Sequence, residues 1–435
     1  MRQYILHSIF VFFIGYFVQA QEMLSLEDAV KITFENNYDI KIAKNNLKVG
    51  STNNSYANAG MLPLINANFT NNNSQLNTSQ TQADGTVRQL DGAKNMNLNY
   101  GVGLDWTIFD GLSMFAKKEQ LNVLETQGKA ALQLAILTKI SDVYATYFDL
   151  VQHQHVIASI DTAIAISSQR LSTAQNRFSI GKSSKLEVLN AQVDLNSDLS
   201  LFLKQKEQYR ISKIRMNELM ARDLKIDFKV NDRIELDKSM DLKVLQLAAE
   251  SQNPTLQFQI LSKKLAELNL KQVKGNRYPR VRVTSGYNFT ESEASLGFIT
   301  QSSGKGFVYG INATVPVFNS FLQHKNEKVA RFQIENAELA LEQQKLNLKT
   351  QLSILFESYQ TNLKLVEVEE KNVEIAKQNI EITLAKFKIG TITTIEFRTA
   401  QQNYVEAIVR YSNAQYLTKL TEINLNELAG TLKLN

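Results

Sequence analysis

Cysteine is absent from this chain of 435 residues, and proline occurs only 4 times. Without cysteine the chain can form no disulfide bond, no thiolate metal site and no lipid-modified N-terminal cysteine. The scarcity of proline leaves long stretches in which nothing interrupts a helix. The 48 basic and 43 acidic residues give a net charge of +5 without a basic stripe, so no nucleic-acid partner is expected.

The first 20 residues have the features of a secretory signal peptide. Arg2 is their only charged residue, residues 9–18 form an apolar block, and Ala20 is a small residue suited to cleavage. The block is shorter than the roughly 20 residues that a membrane-spanning helix needs, although an N-terminal anchor is the alternative. No later segment has a long apolar run, so any membrane insertion of the mature chain would have to use strands.

The rest of the chain consists of two related copies. Residues 177–181, Arg-Phe-Ser-Ile-Gly, recur at 386–390 as Lys-Phe-Lys-Ile-Gly, an offset of 209 residues. Upstream the offset is 216 residues, since Pro63 matches Pro279. The first copy therefore has seven extra residues between Pro63 and Trp106, which we expect to form a loop. The predicted segments are a signal peptide (1–20), a first repeat (21–221), a linker (222–240) and a second repeat (241–431).

Each repeat has the same predicted order of elements. A helix, at 26–56 or 242–273, ends before an X-Pro pair, which disfavours helix. A β-hairpin, a very long helix, a tight tip and a second helix follow. The predicted bounds are 62–109 and 278–318 for the hairpins, and 112–180 and 321–389 for the long helices. The linker at 222–240 is predicted to contain a short strand and to pack outside the helices.

Both hairpin segments show the two-residue alternation of strands. Leu98, Tyr100 and Val102 alternate with asparagine and glycine, and Val281 and Val283 alternate with arginine and threonine. We expect strands of about ten residues with one apolar face, as in a transmembrane β-barrel, although a half-buried soluble sheet would alternate too. Aromatic residues near the expected strand ends are Phe69, Trp106, Phe109, Phe289, Phe307 and Phe318. Such positions match interfacial aromatic girdles and favour the membrane.

Four strands in one chain are too few to close a barrel. The smallest closed barrels have about eight strands, and open strand edges are not tolerated in lipid. A membrane barrel would therefore have to be shared between chains.

The two long helices exceed the usual length of a globular helix. About 69 residues at 1.5 Å each extend on the order of 100 Å. Apolar residues spaced by seven predict a coiled-coil seam within 321–389, with a four-residue step between Leu355 and Tyr359. After Gly181 and Gly390 the apolar period of a helix resumes, which predicts a tight helical hairpin at each glycine.

This duplicated order of elements resembles the TolC family of bacterial outer-membrane efflux channels over about residues 22–431. The most specific parts are the tips, where Phe-x-x-Gly is followed by an acidic residue six positions later. The two motifs consist of Phe178, Gly181 and Glu187 in the first repeat and Phe387, Gly390 and Glu396 in the second.

The resemblance implies a mainly α fold with a small β part. It implies a homotrimer whose twelve strands close one β-barrel in outer-membrane lipid, continued into the periplasm by an α-barrel of antiparallel coiled-coil helices. It further implies passive export without a cofactor, powered by an inner-membrane RND or ABC transporter and joined to it by a periplasmic adaptor. The exported substrate is not specified.

The resemblance also implies roles for the tips. The adaptor would dock on Arg177, Phe178, Gly181, Lys182, Lys386, Phe387, Gly390 and Thr391. Glu396 would line the periplasmic aperture, and Thr399 stands where the family has a second acidic residue. Glu187 would tie neighbouring helices, but its usual basic partner is replaced by Ile392. Both glutamates also suit the first turn of a helix, whose dipole favours acids, and this alternative stays open.

No catalytic or metal site is predicted. The sequence has no phosphate-binding loop and no Ser-His-Asp grouping. His153 and His155 are two residues apart on a helix and point to different faces, so we expect no metal between them. The alternative to a channel is a secreted or surface coiled-coil scaffold or adhesin with soluble hairpins. A periplasmic enzyme would need a catalytic cluster that the sequence lacks.

Overall fold

The computed structural model describes residues 22–297 and 299–432. The predicted signal peptide at 1–20 lies outside these residues. The described chain divides into two compact units. The first contains residues 22–40, 136–249 and 351–432, and the second contains residues 41–135 and 250–350.

Most of the chain is helical, with a small β part. The first repeat contains β1 (Glu22–Leu24), α1 (Leu26–Asn36), α2 (Tyr38–Asn53), β2 (Leu64–Thr81), β3 (Val87–Asp110), α3 (Ser113–Ser179) and α4 (Lys185–Leu219). The linker contains β4 (Phe228–Val230). The second repeat contains α5 (Leu242–Gln252), α6 (Pro254–Gly275), β5 (Arg280–Ala294), β6 (Gln301–Thr314), α7 (Leu322–Ile389) and α8 (Thr394–Ala429). None of the helices in this part of the chain combines the length and apolar character needed to cross a membrane.

The first helical stretch of each repeat is broken by an asparagine. The prediction of one continuous helix at 26–56 and at 242–273 is wrong in this respect. Asn37 follows α1, and its Oδ1 accepts a hydrogen bond from the backbone N–H of Asp39 at 2.9 Å. Asn253 caps α6 in the same way, accepting from the N–H of Leu256 at 2.8 Å. An asparagine in extended conformation starts a new helix because its side chain satisfies a free backbone donor.

The strands are longer than the ten residues expected from the sequence. β2 has 18 residues and β3 has 24, whereas β5 has 15 and β6 has 14. The seven extra residues of the first repeat were expected to form a loop, which is wrong. Pairing of β2 with β3 continues to Thr81 opposite Val87, so the extra residues lengthen the hairpin.

The four long strands form one antiparallel sheet with two different faces. Its order is β2-β3-β5-β6, which leaves β2 and β6 at the edges. Phe69, Tyr100, Phe289 and Lys305 form one row on one face, and the rings of Tyr100 and Phe289 stack with centroids 4.9 Å apart. The adjacent row on that face contains Ala67, Val102, Tyr287 and Phe307. The opposite face has Asn68, Gly101, Asn288 and Gly306 in one row, so it is small and polar.

The core of the first unit joins β1 to the linker. β1 pairs in parallel with β4, a contact that the sequence did not predict. Phe228 and Val230 are buried among residues of α1, α3 and α4, including Met216. The hydroxyl of Tyr147 accepts from the N–H of Asn231 at 3.1 Å and donates to the carbonyl of Leu24 at 3.3 Å. The linker is thus an integral part of this core.

The seam of α7 follows the predicted spacing. Leu341 and Leu348 are buried before the step, and Tyr359, Val366 and Phe387 are buried after it. A buried residue every seven positions keeps one stripe of the helix against its neighbours.

Candidate functional site at the helical tips

The first tip, between α3 and α4, is closed by a Schellman motif. The N–H of Lys182 donates to the carbonyl of Arg177 at 2.8 Å, and the N–H of Gly181 donates to that of Phe178 at 3.0 Å. These two bonds satisfy carbonyls that the helix end would otherwise leave free. Gly181 has φ 72°, a left-handed conformation that favours glycine.

The second tip, between α7 and α8, has the same closure. Thr391 N–H donates to the carbonyl of Lys386 at 3.1 Å, and Gly390 N–H donates to that of Phe387 at 3.1 Å. Gly390 has φ 83°. The repeated Phe-x-x-Gly motif therefore encodes a backbone turn in both copies.

The acidic residues after each glycine take part in helix capping. The hydroxyl of Thr393 accepts from the N–H of Glu396 at 3.2 Å, and the Glu396 carboxylate accepts from the N–H of Thr393 at 2.9 Å. This reciprocal pair is a capping box. At the first tip, Ser184 accepts from the N–H of Glu187 at 3.3 Å, and the hydroxyl of Ser183 donates to the Glu187 carboxylate. Both glutamates thus stabilise the starts of their helices, while Glu396 remains exposed to solvent.

Arg177 connects the two tips of one chain. Its Nη2 donates to the carbonyls of Phe387 at 2.9 Å and Lys388 at 3.4 Å. The guanidinium also lies over the Phe387 ring, 5.2 Å from its centroid. A cation at the C-terminal end of α7 satisfies free carbonyls and complements the helix dipole.

The two equivalent phenylalanines have different surroundings. Phe387 is 2% exposed and stacks on Phe397 with centroids 5.0 Å apart, whereas Phe178 is 46% exposed. Of the predicted docking residues, Phe178, Lys182, Lys386 and Thr391 present exposed side chains. Arg177 and Phe387 are instead engaged between the tips. Thr399 is exposed, and its hydroxyl donates to the carbonyl of Ile395 at 3.0 Å.

A buried polar network near the tips was missed from the sequence. Asp198 of α4 accepts two hydrogen bonds from the guanidinium of Arg398 of α8, at 2.9 and 3.0 Å. Asp198 also accepts from the hydroxyl of Ser167 of α3 at 2.5 Å and from the amide of Gln401 at 3.4 Å. The network therefore joins helices of both repeats.

A second ion pair extends the network. Arg170 of α3, which is 3% exposed, donates to the carboxylate of Asp194, and Nε of Arg398 lies 3.4 Å from the same carboxylate. Only Gln401 carried a signal in the sequence, because it matches Gln192 of the first repeat. Gln192 is exposed, so the repeat alone does not indicate burial.

The two histidines of α3 interact separately. The ring of His153 contacts the amide of Gln205 at 2.6 Å, and burial lowers the pKa of His153. His155 contacts the backbone carbonyl of Asp232 at 2.9 Å. Within residues 22–297 and 299–432, no three side chains of the metal-binding types come together.

Known proteins resemble this chain in sequence and in fold. The family model described as "Outer membrane efflux protein" matches residues 30–222 and 245–431. "Outer membrane protein TolC" of Vibrio cholerae serotype O1 is 21% identical over 306 residues, which is 70% of this chain and 69% of that protein.

Two solved outer-membrane proteins illustrate the likeness in fold. The CmeC channel of Campylobacter jejuni superposes with a TM-score of 0.77 at 16% identity, covering 93% of this chain and 85% of that one. The VceC protein of Vibrio cholerae has a TM-score of 0.76 at 13% identity, with 93% and 96% covered. The family match confirms the resemblance read from the tips and favours a channel over a scaffold or adhesin. The chain belongs to the outer membrane efflux protein family and is an efflux channel of the outer membrane.

Proposed function

We propose that three copies of this chain close one twelve-stranded barrel and form a passive export conduit. The observation that carries this proposal is the four-stranded sheet with unpaired edges at β2 and β6. One face of the sheet is mostly apolar and aromatic, with Lys305 of β6 as a charged exception, which suits lipid, and the other is small and polar, which suits water. Open strand edges are too costly in lipid, so β6 of one copy pairs with β2 of the next.

An exposed apolar stripe on α7 supports the same assembly. Val368, Ile375, Ile382 and Ile389 follow one another at seven-residue spacing and are 52%, 64%, 58% and 75% exposed. This stripe is separate from the buried seam of the helix. A second heptad stripe on a long helix is typical of a helix with neighbours on two sides, and a second copy supplies the missing neighbour.

We place the periplasmic aperture at Glu396. Its carboxylate is exposed in the first turn of α8, and three copies around an axis would form a ring of like charge. Thr399, one turn further along, adds no charge to this ring. The Glu187 carboxylate accepts a hydrogen bond from the Ser183 hydroxyl at the start of α4 and so stabilises the first tip.

The exposed tip residues form the docking surface in this proposal. Phe178, Lys182, Lys386 and Thr391 surround the two glycine turns. A periplasmic adaptor binds there and links the conduit to an RND or ABC transporter of the inner membrane. The absence of cysteine permits a clean test: Lys182→Cys carries a photoactivatable cross-linker in intact cells, and mass spectrometry identifies the attached protein. Recovery of no adaptor would contradict docking at this surface.

Disulfide trapping between edge strands tests the shared barrel. Ala67→Cys in β2 is combined in turn with a cysteine at Lys305, Phe307, Tyr309 or Ile311 of β6. Within one chain these strands are three strand spacings apart, about 14 Å, so no disulfide can form inside a chain. We expect one register to give a covalent trimer after oxidation.

The control replaces the β6 cysteine with one on an interior strand. Tyr287 of β5 lies in the same row as Ala67 but two spacings away, about 10 Å. Ala67→Cys with Tyr287→Cys should therefore stay monomeric on a denaturing gel. Monomers from every β2 and β6 combination would contradict the shared barrel.

A further inference from the structure

Two arginines lie on the polar face of the sheet where the strands meet the long helices. β5 begins at Arg280, which pairs with Asp110 of β3 and Thr314 of β6. Arg282 pairs with Thr107 and Asn312 one row further along. Because side chains alternate along a strand, both arginines share the face opposite Val281 and Val283.

These arginines line an open surface cavity of about 630 Å³. The cavity is bounded by the ends of β5 and β6, the end of α6 and the start of α7. Its lining includes the amide side chains of Asn276, Asn312 and Asn326, whereas the Gln323 amide already donates to the carbonyl of Val273 at 2.7 Å and to Glu327 at 2.8 Å. Guanidinium and amide groups both donate hydrogen bonds, so the lining is suited to a ligand with several acceptor oxygens.

The acidic residues at this place neutralise the arginines only in part. Asp110 is the one acidic residue of the lining, and its Oδ1 accepts from the N–H of Met114 at 3.0 Å. That contact uses the carboxylate to cap α3. Arg282 forms an exposed ion pair with Asp105, in which Nη1 lies 3.4 Å from Oδ2, and exposed ion pairs are weak. Arg280 has no ion pair within the part of the chain that the structure describes.

The surrounding helix starts add positive potential. α3 and α7 both begin beside the strand ends, and neither has an acidic residue in its first turn. The N-terminal end of a helix has a partial positive charge, which acids in the first turn normally balance. Lys325 lies in the first turns of α7, and Glu327 of the next turn is already bound by Arg277. Apart from Asp110 and the C-terminal end of α6, which has a partial negative charge, the lining has no negative group to balance the arginines.

We propose that this cavity binds a phosphate-bearing anion through Arg280 and Arg282. The guanidinium fork matches the geometry of phosphate oxygens, and the amides of the lining supply further donors. Both arginines lie on the face of the sheet that faces water in the proposed barrel, so the ligand is a free phosphate or a phosphate-bearing solute and not the headgroup of a membrane phospholipid. The cavity lies within the second unit, and Asn312 and Thr314 of its lining belong to β6, the edge strand that the proposed trimer pairs with β2 of the next copy.

Binding of inorganic phosphate and of phospholipid to the purified full chain tests this assignment. Calorimetric titration in uncharged detergent measures inorganic phosphate. Native mass spectrometry after addition of phosphatidylglycerol or phosphatidylcholine measures retained lipid. The test variant is Arg280→Gln, and Arg88→Gln is the matched control, because Arg88 is also an exposed strand residue but lies near the far end of the hairpin.

Loss of one charge-assisted contact should weaken binding by about tenfold or more in Arg280→Gln and leave Arg88→Gln unchanged. Saturable binding of inorganic phosphate that is weakened in Arg280→Gln but unchanged in Arg88→Gln supports a site for a free anion. Retention of phosphatidylglycerol without binding of inorganic phosphate would instead assign the site to a lipid headgroup and overturn the assignment to a free anion. Binding of neither probe, or equal binding by both variants, overturns the proposal.

A charge-preserving variant tests the proposal even if Arg280→Gln fails to fold. Arg280→Lys keeps the charge but loses the two-pronged donor, so we expect affinity between those of the wild type and the glutamine variant. Unchanged affinity in Arg280→Lys, together with a misfolded Arg280→Gln, overturns the role of the guanidinium.

Discussion

Removal of the Asp198 carboxylate should loosen both tips of one chain. Asp198→Ala deletes the acceptor of two hydrogen bonds from Arg398 and one from Ser167. The Arg398 side chain is 13% exposed, so it stays largely buried without its main partner. Removing one member of a buried ion pair costs about 3–5 kcal/mol.

The lower end of this range applies here. Asp194 lies 3.4 Å from Nε of Arg398 and compensates part of the lost charge. About 3 kcal/mol corresponds to a roughly 100-fold larger opening equilibrium. Hydrogen exchange followed by mass spectrometry should therefore show backbone amides of α4 and α8 near the tips exchanging about 100-fold faster.

The matched control is Asp161→Ala, which removes an exposed carboxylate from α3. Exposed substitutions of this kind change stability by about 0.5 kcal/mol or less. Asp198→Asn should lie between the two, because it keeps the shape and one acceptor oxygen but loses the charge. Equal exchange rates near the tips in Asp198→Ala and Asp161→Ala would refute the structural role of the network.

Three further changes test other parts of the account. Glu396→Ala should alter conductance or cation preference in planar bilayers, because a ring of three carboxylates would be lost; identical currents would remove Glu396 from the aperture. Gly390→Val should weaken adaptor binding in pull-down assays, because φ is 83° there and a β-branched residue strains the turn; normal binding would place docking elsewhere. Hydrogen bonds from Arg277 and Gln323 lower the pKa of Glu327 to about 2 from 4.5, so their stabilisation holds above pH 4.5 and is lost as the pH falls towards 2. In acid unfolding followed by circular dichroism, Glu327→Gln should lose less stability than the wild type as the pH falls from 4.5 towards 2. Equal dependence of stability on pH in the two proteins would argue against the Arg277–Glu327 pair.

The long helices and the tips could be predicted because their signals are local. A stretch almost free of glycine and proline, with apolar residues at seven-residue spacing, predicts a long helix directly. The Phe-x-x-Gly motif predicts a tight turn because a left-handed residue favours glycine. These features need no knowledge of distant contacts.

The first hairpin was harder to predict for a physical reason. The residues between Asn71 and Asn97 are mostly asparagine, glutamine, serine and threonine, so apolar alternation is nearly absent. Without an apolar face, a strand cannot be distinguished from a loop by its period. To keep the register of the two strands, a deletion of seven residues from this segment must remove residues from both β2 and β3.

The pairing of β1 with β4 and the Asp198 network escaped prediction because they join distant residues. Asp198 and Arg398 are 200 positions apart, and their spacing has no periodic signal. In a single sequence, an aspartate on an amphipathic helix is indistinguishable from a solvated one. Only the packing of α3, α4 and α8 shows that Asp198 is buried.

The most direct test of the central claim is the conductance of the disulfide-closed trimer. The trimer trapped between Ala67→Cys and its β6 partner is purified under oxidising conditions and added to planar lipid bilayers. We expect discrete channels that persist after oxidation, because the disulfides hold the strands in their native pairing. A disulfide-linked trimer that inserts into the bilayer without conducting would contradict the shared barrel as the export path.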